Sequence, residues 1–412
     1  MIEEEVLRLI KPSKEDEERI RSKVELIKDL LKEYDIEVHG SFRKGTWLKN
    51  DTDVDLFVFF NKNFPRDKFP KVISEIKEKL KGIETKIGYA DHPYLITIVD
   101  NIEIDIVPAI RVESGDKAIT PVDRTPFHTQ YVISHLDEKG KDEVRLLKQF
   151  MKGIGVYGAE IKVEGFSGYV SELLIIYFRS FRKVLEAASK WKPPVKILLT
   201  NPQRNFESPL ILPDPVDPKR NAGSAVSLKK LAEFSLAARY YLKKPSINFF
   251  FPVFPKYTII KGDVMIIKLF AENSPPDVFW GQVKRSMKKI RKALELVGYR
   301  VIDIQAWGGE NDAVIGIQLE SKIIGEYYTL QGPPFYIIEN VDKFIEENEN
   351  IWVGEDGRLY TIKRRKETDI QKIISNNISI DNLTKIEYYW LNEVPEDEWI
   401  WRFLRKTMPW LK

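Results

Sequence analysis

The stretch DVDLFVFF, residues 53–60, constrains this chain more than any other. It alternates acidic and aliphatic residues before turning continuously apolar, the pattern of a partly buried strand. Side chains two apart on a strand share a face, with α-carbons roughly 6.6 Å apart. Asp53 and Asp55 therefore point one way, and Val54 and Leu56 the other. Paired carboxylates repel each other and call for a cation. Magnesium suits such a pair, because it takes one or two carboxylates plus substrate phosphates in place of a full protein cage. Two such ions about 3.5–4 Å apart activate an attacking hydroxyl and stabilise a leaving pyrophosphate. An isolated D-x-D is more often an ordinary solvent-facing strand edge, so its neighbours decide.

A third carboxylate is expected on an adjacent strand, and IEIDIVP (102–108) supplies it. Asp105 shares a face with Glu103, while Ile102, Ile104 and Ile106 occupy the other. Asp105 is favoured because it lies further along the strand, toward a Pro108 exit, although Glu103 has the same parity. Upstream, Gly40-Ser41 reads as a turn whose N–H groups and hydroxyl make a cradle for a β- or γ-phosphate. Arg43 and Lys44 add positive charge beside it.

A length of 412 residues implies about two to four domains. Hydrophobic content of 43% with 31% charged residues describes a globular chain with real cores. Without cysteine there is no disulfide, thiolate zinc site or cysteine nucleophile. Abundant Lys and Glu together with absent Cys lean toward a heat-adapted source. Sixty-five Lys+Arg against 62 Asp+Glu leave a net charge of +3, so a polyanion site must come from local clustering. No stretch approaches a membrane span, and the acidic start MIEEEVLRLI lacks a signal-peptide pattern. A cytoplasmic location is expected.

Helical spacing of Ile20, Val24, Ile27 and Leu31 predicts a helix over 14–34, followed by the strand IEVH. YLITIVDNIEIDIVPAI (94–110) predicts a hairpin turning at Asp100-Asn101. These elements make a mixed α/β domain ending near 138. The next segment is helical: an apolar stripe of Val144, Leu147, Met151 and Ile154, one long helix over 168–191, and a third over 228–242. The aromatic, Pro-punctuated SINFFFPVFPKY (246–257) suits a domain boundary. Beyond it, a strand at DVMIIKLF, a helix over 282–297 and strands at VIDIQAW and AVIGIQLE follow the β-α-β-β order of half a ferredoxin-type or RNA-binding sandwich. A hairpin turning at Asp356-Gly357 and a helix near 368–377 follow.

Two basic clusters stand in this last part. KRSMKKIRK (284–292) places Lys284, Lys288 and Arg291 along one flank of a helix, and KRRK (363–366) brings Arg364 and Arg365. Contact with a nucleic-acid backbone is the functional reading, and solubilising surface charge the alternative. Double-stranded RNA is read mostly by shape and backbone.

GSFRKGTWL…DTDVDLFVFF with IEIDIVPA resembles the nucleotidyltransferase signature of DNA polymerase β and poly(A) polymerases. TPVDRTPFHTQYV, EVRLLKQFMKGIGVYGAE, GFSGYVSELLIIYFRSF and DPVDPKRNAGSAVSL narrow the resemblance to archaeal CCA-adding enzymes, the class I tRNA nucleotidyltransferases. It is motif-level over 35–240 and looser beyond. What it implies is an α+β multidomain chain: a polymerase β-like head (1–138), a helical neck that recognises the nucleotide (139–255), and an α/β body and tail that bind tRNA (256–412). It implies template-free addition of C, C and A to tRNA 3′ ends from CTP and ATP with Mg2+, and a homodimer. Asp53, Asp55 and Asp105 match the metal-binding carboxylates, with Asp53 where many relatives carry Glu. Ser41 and Lys44 match phosphate-binding positions, Lys44 standing where Arg is frequent and lacking its bidentate fork. His128, Lys148 and Tyr157 match the triphosphate pocket, and Arg220 the base-reading arginine, whose fork of donors suits the acceptors of C or A.

Without the resemblance, His128 reads as a structural histidine, Tyr157 as core and Arg220 as a surface loop residue. Lys148 belongs to a stripe of Lys141, Arg145, Lys148 and Lys152 on one helix face, which a solvated charged surface would also produce. A poly(A) polymerase, a small-molecule adenylyltransferase and a non-catalytic RNA-binding protein remain alternatives. The basic helix of the last third argues against a small acceptor, and the complete carboxylate trio against a degenerate scaffold.

Overall fold

The computed structural model describes residues 2–49, 51, 53–89, 92–254, 259–406, 408, 410 and 411. The Cα packing separates two compact units, Met1–Val253 with Thr407–Lys412, and Phe254–Lys406. The boundary expected between 255 and 256 lies outside the described residues.

In the first unit α1 (Ile2–Ile10) and α2 (Lys14–Leu30) precede a five-stranded sheet. Its strands are β1 (Asp35–His39), β2 (Asp53–Phe60), β3 (Glu84–Tyr89), β4 (Pro93–Val99) and β5 (Ile102–Ile110), in the order β1-β2-β5-β4-β3. A capping box starts α2: the Ser13 hydroxyl accepts from Asp16 N–H at 3.1 Å while the Asp16 carboxylate accepts from Ser13 N–H at 2.9 Å. The predicted stripe Ile20, Val24, Ile27 and Leu31 is buried against Val54, Leu56 and Val58 of β2 and Ile102, Ile104 and Ile106 of β5. The hairpin turns where expected, and Asp100 and Asn101 both take positive φ (49° and 61°), the requirement of a type I′ turn. Strand β5 runs through Pro108, which pairs with Val58, so the residue is no strand exit.

Between β1 and β2 the predicted Gly-Ser turn is the short helix α3 (Gly40–Lys44). Helix α4 (Phe69–Lys79) covers the face of the sheet that carries Val54. Then α5 (Pro121–His135), α6 (Glu138–Gly153), α7 (Gly168–Phe178), α8 (Phe181–Ala188) and α9 (Leu228–Lys243) follow, with short strands β6 (Val195–Lys196), β7 (Leu210–Ile211), β8 (Pro213–Asp214) and β9 (Asp217–Asn221). The single helix expected over 168–191 is two: Arg179 turns left-handed at φ 73° and Ser180 caps the second. Helices α6–α9 share one core around Phe150, Phe166, Phe181, Phe234 and Tyr241.

The second unit contains β10 (Asp263–Ala271), α10 (Pro276–Val297), β11 (Val301–Gly308), β12 (Asp312–Leu319), β13 (Tyr327–Pro334), α11 (Ile338–Glu347), β14 (Trp352–Val353), β15 (Arg358–Arg364), α12 (Ile370–Ser375), β16 (Leu383–Trp390) and α13 (Glu398–Arg405). Its main sheet has the order β11-β12-β10-β16, every described pair antiparallel. The expected β-α-β-β half is thus completed by α12 and β16 into a β-α-β-β-α-β sandwich. A second small sheet, β13-β15-β14, is inserted between the halves.

Candidate active site

Strands β2 and β5 lie side by side in parallel, with Asp53 opposite Glu103 and Asp55 opposite Asp105. Neighbouring strands are about 4.8 Å apart, so four acids occupy two adjacent rungs of one face. Further along, Phe57, Phe59, Val107 and Ala109 fill the same face with a small apolar cluster. Only the first two rungs stay open to a ligand. Asp53 and Glu103 are exposed, while Asp55 and Asp105 are half-buried.

Burial drives the Asp105 carboxyl up to about 8, with Asp55, Glu103 and Asp53 adding repulsion. Asp55 is pushed up to about 6, again by burial first, with Lys44 opposing. Asp53 is raised by burial and by the neighbouring Asp51. No ion pair among the described residues engages Asp53, Asp55 or Asp105, and Asp105 Oδ1 is buried without a hydrogen-bond partner. Two raised carboxyls and an orphaned oxygen on one face are what a divalent cation would relieve. Among the described residues no three acidic or imidazole groups form a ready-made ligand set.

Gly40 shows how tightly α3 is fitted to this face. Its φ is +65°, and a Cβ there would lie 1.7 Å from Asp55 Oδ2. Only glycine supplies both the left-handed backbone and the room. Ser41 follows in the first turn of α3. At its end Lys44 is 8% exposed, and its Nζ meets Glu172 Oε2 at 2.6 Å.

The basic stripe of α6 is no solvated face. Arg145 and Lys148 are buried, and three of the four cations grip the chain between α3 and β2. Arg145 donates to Trp47 O at 3.0 Å and Gly45 O at 2.6 Å. Lys148 Nζ donates to Thr46 O and to Thr46 Oγ1, both at 3.2 Å. Lys152 pairs with Asp51, whereas Lys141 pairs with Glu138 at the surface. Burial pushes the Lys148 ammonium down to about 8, with Glu172 opposing. Tyr157 also reaches this place: a Cβ on Gly168 would sit 2.9 Å from its hydroxyl and 3.5 Å from Lys148 Nζ. The Gly153 backbone approaches the protein itself, since a Cβ there would meet Phe249 O at 2.2 Å.

His128 and Arg220 converge elsewhere, on Asp214. His128 Nε2 donates to Asp214 Oδ2 at 2.8 Å and its ring stacks on Tyr169 at 3.9 Å. The Tyr169 hydroxyl donates to Asp214 Oδ1 at 3.0 Å. Burial depresses His128 although Asp214 pulls the other way. The Arg220 guanidinium lies 3.7 Å from Asp214 Oδ2, its side chain 38% exposed. Beside it a cavity of ≈ 540 Å³ is lined by Arg204, Phe206, Arg220, Asn221 and Ser227 among others.

In the second unit the basic residues divide. Lys288 is exposed on α10 and Lys284 half-buried. Arg291 donates at 3.4 Å to Glu295 and to Val301 O. Arg364 is paired with Glu326. Arg365 spends its donors on the carbonyls of Val297 (2.6 Å), Gly325 (2.5 Å) and Tyr327 (2.7 Å), a clasp inside the unit.

Sequence reasoning passed over Glu172, Asp214, Tyr169 and Thr46. Glu172 carried a signal: it is the one charged residue in the apolar helix GYVSELLIIYF, where a buried acid requires partners. Asp214 and Tyr169 lay within quoted motifs but only the fold brings them to His128.

Residues 20–128 match a family model described as a nucleotidyltransferase domain, 142–251 the second domain of tRNA nucleotidyltransferase, and 262–385 the C-terminal domain of CCA-adding enzyme. The chain is 60% identical over 413 residues to a CCA-adding enzyme of Sulfurisphaera tokodaii, covering 100% of both chains. It is 59% identical over 414 residues to the CCA-adding enzyme of Saccharolobus shibatae, again covering 100% of both. Among solved structures, a cytoplasmic RNA terminal U-transferase aligns over 59% of this chain and 93% of its own, with TM-score 0.46 and 17% identity.

Proposed function

The chain belongs to the family of CCA-adding enzymes, and from that premise we propose that Asp53, Asp55 and Asp105 hold the divalent ions, Mg2+, at which a tRNA 3′ end is extended. Template-independent addition of C, C and A to tRNA from nucleoside triphosphates is the activity of this family, and nucleotidyltransferases of this kind use divalent metal ions. The observation that carries the assignment is the pair of facing rungs, Asp53 with Glu103 and Asp55 with Asp105, where burial raises Asp55 and Asp105 and no ion pair among the described residues engages either of those two. An ion bound there supplies charge neutralisation of the triphosphate and lowers the pKa of the attacking hydroxyl.

The protein's own residues do the rest. Asp105, set deeper than Glu103, orients the attacking 3′-hydroxyl in line with the nucleotide α-phosphate. Ser41, Lys44, Lys148 and Tyr157 receive the triphosphate, whose pyrophosphate then departs. His128 reaches a phosphate oxygen while Asp214 holds its ring. Arg220 turns its fork to the base of CTP or ATP, and its partial exposure next to a cavity supports that role. No covalent intermediate with the protein is needed.

The segments 1–138, 139–255 and 256–412 read as catalytic head, nucleotide-recognition neck, and tRNA-binding body and tail, a division the three family matches support. Lys284, Lys288 and Arg291 are offered for the acceptor stem, exposed Lys288 before Arg291, which is also held by Glu295 and Val301 O. Arg364 and Arg365 are engaged within the protein and weigh less. A cytoplasmic homodimer belongs to the same reading, and no helix among the described residues is long and apolar enough to cross a membrane.

The test is incorporation of labelled CTP, then ATP, into tRNA lacking its 3′ end. Addition that stops after one A is expected; long A-tails would indicate poly(A) synthesis, and no incorporation a binding protein. Asp55→Ala should abolish transfer while tRNA binding persists. Near-normal turnover in that variant would refute the metal assignment.

A further inference from the structure

Two lysines read as phosphate ligands arrive from distant parts of the chain, Lys44 on α3 and Lys148 on α6, and both are buried. Two ammonium groups brought together out of water repel each other and lose their hydration. The group that reconciles them is Glu172 of α7, whose side chain is 0% exposed. Its Oε2 accepts from Lys44 Nζ at 2.6 Å. Its Oε1 accepts from Thr46 Oγ1 at 2.6 Å and faces Lys148 Nζ at 3.6 Å. Thr46 closes the ring, since Lys148 donates to its carbonyl and hydroxyl.

We propose that Glu172 is a positioning residue of the nucleotide site: one carboxylate, spanning two lysines and Thr46, sets where the Lys44 and Lys148 side chains stand to meet the triphosphate. The inference rests on the reading that those lysines meet the triphosphate.

The charge count supports it. Two ammonium groups against one carboxylate leave a single net positive charge, so the cluster still attracts a polyanion. An ammonium has three donors; in the hydrogen bonds described, Lys44 spends one on Glu172, and Lys148 spends two on Thr46. Stability alone is a poor reason for such a cluster, because a buried ion group is often no better than apolar side chains of the same volume. Glu172 itself is held below the usual carboxylate range: burial raises it, but the Lys44 and Lys148 charges outweigh that. The groups facing Lys148 are Glu172 of α7, Lys44 of α3, Arg145 of its own helix and the Tyr157 hydroxyl. Of these only Glu172 favours the charged amine.

The experiment compares Glu172→Gln, Glu172→Asp, Lys148→Met and the double variant Glu172→Gln/Lys148→Met in the full chain, with melting temperature recorded for each. Glu172→Gln should raise KM for CTP about tenfold, the worth of a hydrogen bond to a charged group, with a smaller change in kcat. Glu172→Asp should recover part of the loss. The defect relative to wild type should be larger at pH 8.5 than at pH 6.5, because Lys148 without its counter-charge loses its proton more readily. The double variant should lose less than the sum of the two single losses, because the part of the Glu172→Gln defect that runs through Lys148 is already gone while the part through Lys44 remains, and this comparison stands even where Glu172→Gln by itself folds poorly.

If Lys148→Met raises KM while Glu172→Gln lowers only the melting temperature, Glu172 is structural and the proposal falls. Additive losses in the double variant, or a defect independent of pH, overturn it as well. If Lys148→Met leaves KM unchanged, the phosphate reading itself fails and takes the proposal with it, a result distinct from the other two.

Discussion

The open acidic rungs and the lysine cluster behind them handle buried charge in opposite ways. On β2 and β5, carboxylates face carboxylates, no ion pair among the described residues engages Asp53, Asp55 or Asp105, and Asp55 and Asp105 are held well above their usual values. Elsewhere in the same unit, Lys44 and Lys148 share a fully buried Glu172 and Thr46. The second cluster carries its own counter-charge, whereas the first is left to a cation in the function proposed above. On that proposal, repelling acids mark the place of the chemistry and the balanced lysines the place of the triphosphate. The second unit repeats the contrast, with Arg365 spent on three carbonyls while Lys288 stands exposed.

The sharpest way to break the comparison is to remove one acid from each rung. Asp105→Asn should cost more than about a thousandfold in nucleotide incorporation, the scale of losing a directly engaged group, while Glu103→Gln should stay within about tenfold. Equal losses would mean that both oxygens of the outer rung matter as much as the inner one. Next in size, Gly40→Ala forces a Cβ onto Asp55 and should lower kcat about 10- to 100-fold through misplacement, with a lower melting temperature. An unchanged kcat would show that α3 and Asp55 move apart without consequence.

Lys288→Ala should weaken tRNA binding severalfold and reduce the slope of log affinity against log salt by about one, as loss of a phosphate contact does. Arg365→Ala should leave that slope alone and lower the melting temperature. A salt slope sensitive to Arg365 but not Lys288 would reverse the assignment.

The smallest effect is on stability against pH. Asp55 and Asp105 are raised from 3.8 to about 6 and about 8. The folded protein then keeps protons that the unfolded chain releases, so stability falls as pH rises from about 4 through about 8. Metal-free protein should melt about 5–10 °C lower at pH 8.5 than at pH 5, about half of what the full shifts would give because solvent still reaches these groups, and Mg2+ should recover the lost stability in wild type but not in Asp55→Ala. A flat profile would remove the electrostatic argument for an ion there.

Much of this was legible along the chain. Asp53 and Asp55 share a face through the two-residue period of a strand, and Asp105 joins them through the same period on β5. The stripe of α2, the Asp100-Asn101 turn and the β-α-β-β order follow equally from local pattern. Where local pattern misled, tertiary contacts had overridden it. Residues 168–191 read as one helix because their periodicity continues across Arg179, where the chain turns left-handed before the Ser180 cap. The α6 stripe left a solvated face and a ligand-facing one both open, because helical spacing alone fits either, and Arg145 and Lys148 are in fact buried against the segment before β2.

Which residues carry charge toward which face of each element is set locally, since that depends only on the periods of strand and helix and on neighbours a few positions away. Which of those charges meet is set by packing. Glu172 reaches Lys44 across 128 positions and Asp214 reaches His128 across 86. No short-range period encodes such pairs, because they arise when helices and strands pack and buried charge must find a partner.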